Sequence, residues 1–131
     1  QTLNANGNQI AALPDTMKFL KRLNNLHLSD NKLTSLPSSI QSLKELRILN
    51  LDNNQVSVLN NAIKLLPKLT HLFLKNNQLA ELPECFYEKY REGNEMYTLA
   101  HIDLVGNPIC EKKGMRNKIR KNKPRFAKIY L

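Results

Sequence analysis

Cysteine, aromatic side chains and long apolar runs are all scarce in this chain, and each scarcity removes a class of explanation. The two cysteines, Cys85 and Cys110, leave a pairing between them open, but two thiols make no disulfide framework. Histidine and cysteine do not occur at zinc-finger spacing. Aromatic residues are 6% of the chain, so leucine has to fill whatever core forms. No apolar run approaches the roughly 20 residues needed to cross a bilayer, and no signal-peptide pattern is present. The asparagines are many, yet none stands in an Asn-x-Ser/Thr acceptor, which points towards a cytosolic-type environment.

What is present is one domain's worth of material: 131 residues, 41% of them hydrophobic. The chain opens at Gln1, inside a repeat and without an initiator methionine, so the expectation is a piece of a longer protein with more repeats or a cap before it. Net charge is +9, unevenly placed. Residues 1–110 carry 11 basic and 10 acidic side chains, whereas residues 111–131 carry 9 basic and one acidic. The body is electrically ordinary and the tail is not.

The dominant feature is a period of 23 residues. Leu23, Leu26, Leu28, Asn31, Leu33, Leu36 and Pro37 return as Leu46, Leu49, Leu51, Asn54, Val56, Leu59 and Asn60, and again as Leu69, Leu72, Leu74, Asn77, Leu79, Leu82 and Pro83. A truncated unit precedes them through Leu3, Ala5, Asn8, Ile10, Leu13, Pro14, Met17 and Leu20, and a last one follows from Leu99 through Ile102, Leu104, Asn107 and Ile109. A fixed period of this length means one unit stacked on itself, because a single unit cannot bury its apolar side alone. Such a stack offers a long regular surface rather than a pocket, which favours binding over catalysis.

With five registers matched, the chain resembles the leucine-rich repeat family, of the short intracellular type with LPxx turns. That resemblance implies an α/β solenoid, a right-handed horseshoe with a concave parallel β-sheet of about five short strands and a convex face of short helices or turns. The expected layout is a single domain over 1–131, with repeats at 1–109, a lengthened repeat at 69–98 and a basic C-terminal cap at 110–131. Strand alternation agrees: Leu26 and Leu28 point to one face and His27 to the other. Ile40 with Leu43, and Ile63 with Leu66, supply apolar contacts from the outer layer. Asn8, Asn31, Asn54, Asn77 and Asn107 are expected to form a buried column satisfying backbone groups of neighbouring turns. The insertion in the lengthened repeat, Pro83 to Gly93, reads as an outer helix, with Tyr87, Met96 and Tyr97 as an optional contact surface. Met115 and Ile119, one helical turn apart, read as a short capping helix, interrupted at Pro124 and followed by Phe126 and Ile129. Cap cysteines of the secreted members do not follow Cys110.

Alignment of the strands names the open face. Two residues after each repeat start come Asn25, Ile48, His71 and His101; four after come Asn4, His27, Asn50, Phe73 and Asp103; six after come Asn6, Ser29, Asp52, Lys75 and Val105. An aromatic anchor ringed by polar groups is the usual composition of a protein-binding hot spot. The candidate partner-binding residues are therefore Phe73 as anchor with Asn25, His27, Ile48, Asn50, Asp52, His71, Lys75, His101 and Asp103 around it. His71, His101 and Asp103 are the one cluster chemically suited to a divalent metal, but they lack a third oriented ligand and a water-excluding site, so no cofactor, metal or catalytic role is expected. Histidine titration should make the contacts acid-sensitive.

The reading is therefore a non-enzymatic module that is monomeric until it meets one protein partner, with an enzyme whose active site it occludes as one option. It carries no small-molecule substrate. The plain Leu-Pro repeats are similar to those of pathogen effectors, which gives a cytoplasmic setting, with delivery into a host cytosol as a variant. The alternative is a nucleic-acid or anionic-surface binder through Lys112, Lys113, Arg116, Lys118, Arg120 and Lys121; no aromatic stacking platform is interleaved there, so nucleic acid is disfavoured.

Overall fold

The computed structural model describes residues 1–86, 98–122 and 128–131, and all their side chains except those of Cys85, Arg116, Arg120, Lys121 and Asn122. Each repeat contributes one three-residue strand: β1 (Thr2–Asn4), β2 (Asn25–His27), β3 (Ile48–Asn50), β4 (His71–Phe73) and β5 (His101–Asp103). A further strand, β6 (Lys128–Tyr130), comes from the tail. They form one parallel, open sheet in chain order, so the expected five strands are six. The 23-residue period sets the register, with Leu26 against Leu49 and Leu49 against Leu72. One backbone bond repeats at every step: the amide of Leu28, Leu51, Leu74 or Leu104 donates to the carbonyl of Asn50, Phe73, Asp103 or Tyr130, each at 2.9 Å.

Alternation within these strands separates core from surface. The central Leu26, Leu49, Leu72 and Ile102 are buried and both flanking residues of each strand are half-buried. The alternation persists one step past most strands, with Asn6, Lys75 and Val105 exposed and Asp52 half-buried as expected; Ser29, at the same place in its repeat, is instead buried.

The convex layer consists of 3-10 helices at Asp15–Phe19, Ser38–Ser42, Asn61–Leu65, Glu84–Phe86 and Pro108–Glu111. Pro14 and Pro37, held at φ near −70°, lead into the first two. Asn60 replaces proline before the third, and its side chain does different work: Oδ1 accepts from Ala62 N–H at 2.9 Å while Nδ2 donates to Leu36 O at 2.8 Å. Ile40, Leu43, Ile63 and Leu66 from this layer are buried against the strand leucines. The insertion shows Glu84–Phe86 as helix with Phe86 buried; its continuation through Tyr87, Met96 and Tyr97 lies outside the described residues.

Two polar ladders bind the stack. In the first, Asn54 Nδ2 donates to Leu28 O, Leu51 O and Asp52 O, while its Oδ1 accepts from Leu33 N–H. Asn31, Asn77 and Asn107 repeat the pattern, all buried. Asn8 departs from the expected column: it is exposed, because the first repeat packs on one neighbour, and it bonds only Ala5 O and Asn6 O locally. The second ladder was not expected. Asp30, Asn53 and Asn76 all hold positive φ, and Asn53 donates to Asp30 Oδ1 and Asn76 to Asn53 Oδ1, each at 2.8 Å.

Gly106 continues that row at φ 78°, where an added Cβ would collide with Asn76 Oδ1 and stand 3.3 Å from Asn76 Cα. Gly7 begins it at φ 68° with open space around the missing Cβ. Gly106→Ala should therefore cost about 1–3 kcal/mol, and in this 131-residue chain Gly7→Ala only the backbone strain of about 1 kcal/mol, as read from their chemical unfolding midpoints.

After the β5 repeat comes α1 (Met115–Asn122), with Ile119 buried in the core and Met115 half-buried against it. The Cys110 thiol is buried and donates to Leu104 O at 3.0 Å. Pro124 and Phe126 lie outside the described residues. Among the described residues no helix is long and apolar enough to cross a membrane.

Candidate functional site

The strand flanks that face away from the core make two parallel rows. One runs Thr2, Asn25, Ile48, His71, His101, Lys128; the other runs Asn4, His27, Asn50, Phe73, Asp103, Tyr130. Adjacent members stand about 4.8 Å apart in backbone, so side chains in a row touch their neighbours. On β1 to β3 the rows hold the polar Thr2, Asn4, Asn25, His27 and Asn50 with one apolar residue, Ile48. From β4 onwards they become mostly aromatic.

There the rings cluster. His71 stacks on His101 with centroids 5.6 Å apart, Phe73 lies 4.9 Å from His101, and Phe73 and His71 are 6.1 Å apart. Tyr130 closes the group from β6, also 4.9 Å from His101. These are ordinary spacings for attractive ring pairs. All remain partly open to solvent, Tyr130 at 45%, and Ile48 is half-buried beside them.

The expected anchor thus sits in a group, and the group includes a residue that reading the sequence missed. Tyr130 lies in a tail read as a cap, and its strand lacks the LxxLxL pattern that marks the other five. The one available signal was alternation, since Ile129 is half-buried between exposed Lys128 and Tyr130.

Other candidates fall further away or do a second job. His27 shares the face, but it lies two strands from Phe73 and pairs with no ring among the described residues. Asn25 Nδ2 donates to Thr2 Oγ1 at 3.1 Å. Asn50 Oδ1 and Asp103 Oδ1 accept from the backbone N–H of Asp52 and Val105, ending their strands. Asp52 and Lys75 lie beyond the strands in the following turns, and Asp52 Oδ1 accepts from Lys75 N–H at 2.7 Å. Burial raises the Asp52 pKa above its ordinary 3.8, against the lowering effect of that bond, with the Asp103 charge adding to the rise.

His101 is the most constrained group of the cluster. Its Nε2 is shut off from solvent and has no hydrogen-bond partner among the described residues. His71, by contrast, has Nδ1 2.9 Å from Thr70 Oγ1. Burial holds the His101 pKa below the ordinary 6.5, and the nearby charges of His71 and Lys128 act in the same direction while Asp103 opposes them. A base with a depressed folded pKa takes up its proton more readily unfolded, so its contribution is present above pH 6.5 and is lost as pH falls. Denaturant unfolding at pH 7.5 and 5.5 should show native protein losing more stability on acidification than His101→Asn. Equal losses would exclude this origin.

No group of three or more His, Cys, Asp or Glu side chains among the described residues is placed to hold a metal ion. His71, His101 and Asp103 adjoin without converging on one point. Four basic side chains of the tail are described. Lys112 is 3.8 Å from Glu81 Oε1, Lys113 and Lys118 are exposed, and Lys128 stands on the sheet beside His101. The side chains of Arg116, Arg120 and Lys121 lie outside the described residues.

Comparison with known proteins follows the same architecture. A leucine-rich repeat protein of Leptospira interrogans superposes with a TM-score of 0.85 and 37% identity over 98% of this chain, which spans 30% of that protein. A chain of the Drosophila melanogaster SNF/U2A′ complex aligns with a TM-score of 0.70 over 98% of this chain and 71% of its own; at 22% identity that likeness is one of fold. None of the curated protein sequences matches. The leucine rich repeat family model matches residues 1–56 and, in a second register, 21–79. With that match over more than half the chain and the same repeats stacked in one parallel sheet, the chain belongs to the leucine-rich repeat family.

Proposed function

We propose that the concave face binds one protein partner around Phe73. Proteins of this family are generally non-enzymatic interaction modules, and this chain's ring group fits that use. The observation that carries the reading is the cluster of His71, Phe73, His101 and Tyr130 on the solvent side of the sheet. Aromatic side chains that contribute little to the core but sit together on an open face match the composition of binding hot spots. Occlusion of an enzyme's active site is the regulatory form this would take, because a curved sheet covers a convex surface.

The test is capture from a source lysate with the native chain and with Phe73→Ala. A captured protein that disappears with the substitution supports the reading; an unchanged set overturns it. Salt separates it from binding through the basic tail. Affinity resting on residues 112–128 should collapse between low and moderate salt, whereas anchoring at Phe73 should largely survive.

A further inference from the structure

A carboxylate stands in the same row as two of the rings. Register places Asp103 directly between Phe73 on β4 and Tyr130 on β6. Two strand spacings separate those aromatic residues, about 10 Å between backbones, and both rings pack on His101 next to the acid. One Asp103 oxygen accepts from Val105 N–H at 3.0 Å. Among the described residues the other has no hydrogen bond, and no ion pair is made by this side chain.

Building on the concave-face reading, we infer that the partner presents a basic segment, with one arginine side chain lying against Phe73 and Tyr130 and its charge on Asp103. A guanidinium combines the two properties this place rewards. Its flat face stacks on rings and its edge donates to a carboxylate, which the compact, strongly hydrated ammonium of lysine does less well. Asp52 adds a second negative charge on the same side, near enough for Asp103 to act on it. Two positive charges are close by, Lys75 in the turn beyond β4, acting on Asp52, and Lys128 beside His101 on β6, but neither forms an ion pair with Asp103. An acidic partner residue would have to avoid Asp103 to reach either of them.

Selection from a library of random short peptides tests this, using the full chain as bait alongside Asp103→Asn and Phe73→Ala. Asparagine keeps the oxygen that accepts from Val105 N–H, so Asp103→Asn should fold, as circular dichroism would confirm. The expected result is enrichment of arginine at one position, and about tenfold weaker binding of the selected peptides to Asp103→Asn. Peptides without basic residues, or bound equally by Asp103→Asn, would overturn the inference. If such peptides still lose affinity for Phe73→Ala, the concave-face reading stands without it; if they do not, both fall. A selection returning nothing above the Phe73→Ala background also counts against the arginine site.

Discussion

In this 131-residue chain Asn54→Ala should cost roughly 3 kcal/mol of stability, while Asn8→Ala should cost less than about 1 kcal/mol. Both asparagines occupy the same place in the repeat. Asn54 is 6% exposed, and its amide supplies three carbonyls and receives Leu33 N–H from the preceding repeat. Alanine would leave that N–H buried without an acceptor, strip donors from carbonyls in two repeats and open a small void. Asn8 spans no repeats and stands in water, which can replace what it donates. Thermal unfolding should show a midpoint lower by roughly 10 °C for the first and nearly unchanged for the second. Equal losses would mean that burial does not set the energy at this place in the repeat.

Phe73→Ala should weaken a captured partner by about 2 kcal/mol, roughly thirtyfold, with about 1 kcal/mol or less lost from folding. The ring packs on His71 and His101 rather than into the leucine core, so its removal uncovers neighbours without leaving a cavity inside the stack. His27→Ala on the same face should change affinity about threefold or less, since it lies two strands from the anchor and outside the ring group. Titration calorimetry on both variants separates a centred contact from a diffuse one. A His27 effect as large as that of Phe73 would shift the contact towards β2.

The repeats were legible because 23-residue spacing and strand alternation are written in residue type. Leu26, Leu49, Leu72 and Ile102 point inward as their apolar character requires, and Ile48, His71, Phe73 and His101 point outward by parity alone. Parity carried one step further holds for Asn6, Lys75 and Val105, which are exposed, but not for Ser29, which is buried at the same place in its repeat. The Asp30, Asn53 and Asn76 ladder depends on left-handed φ, which Asp and Asn tolerate but do not announce. Asn8 matches the motif perfectly, yet burial depends on what packs against it and not on the motif. Strand β6 was hidden because Lys128–Tyr130 pairs with β5 outside the 23-residue period, so no repeat reveals it.

That last strand alters what a truncated protein would mean. Residues 128–130 share three backbone pairings with β5 and deliver Tyr130 to within 4.9 Å of His101. Cutting away the lysine-rich end to ask whether its charge matters would also bare the flank of β5 and dismantle one wall around Asp103. Two quite different losses would then look alike in any binding assay, and only charge-neutralising substitutions that spare the strand can tell them apart.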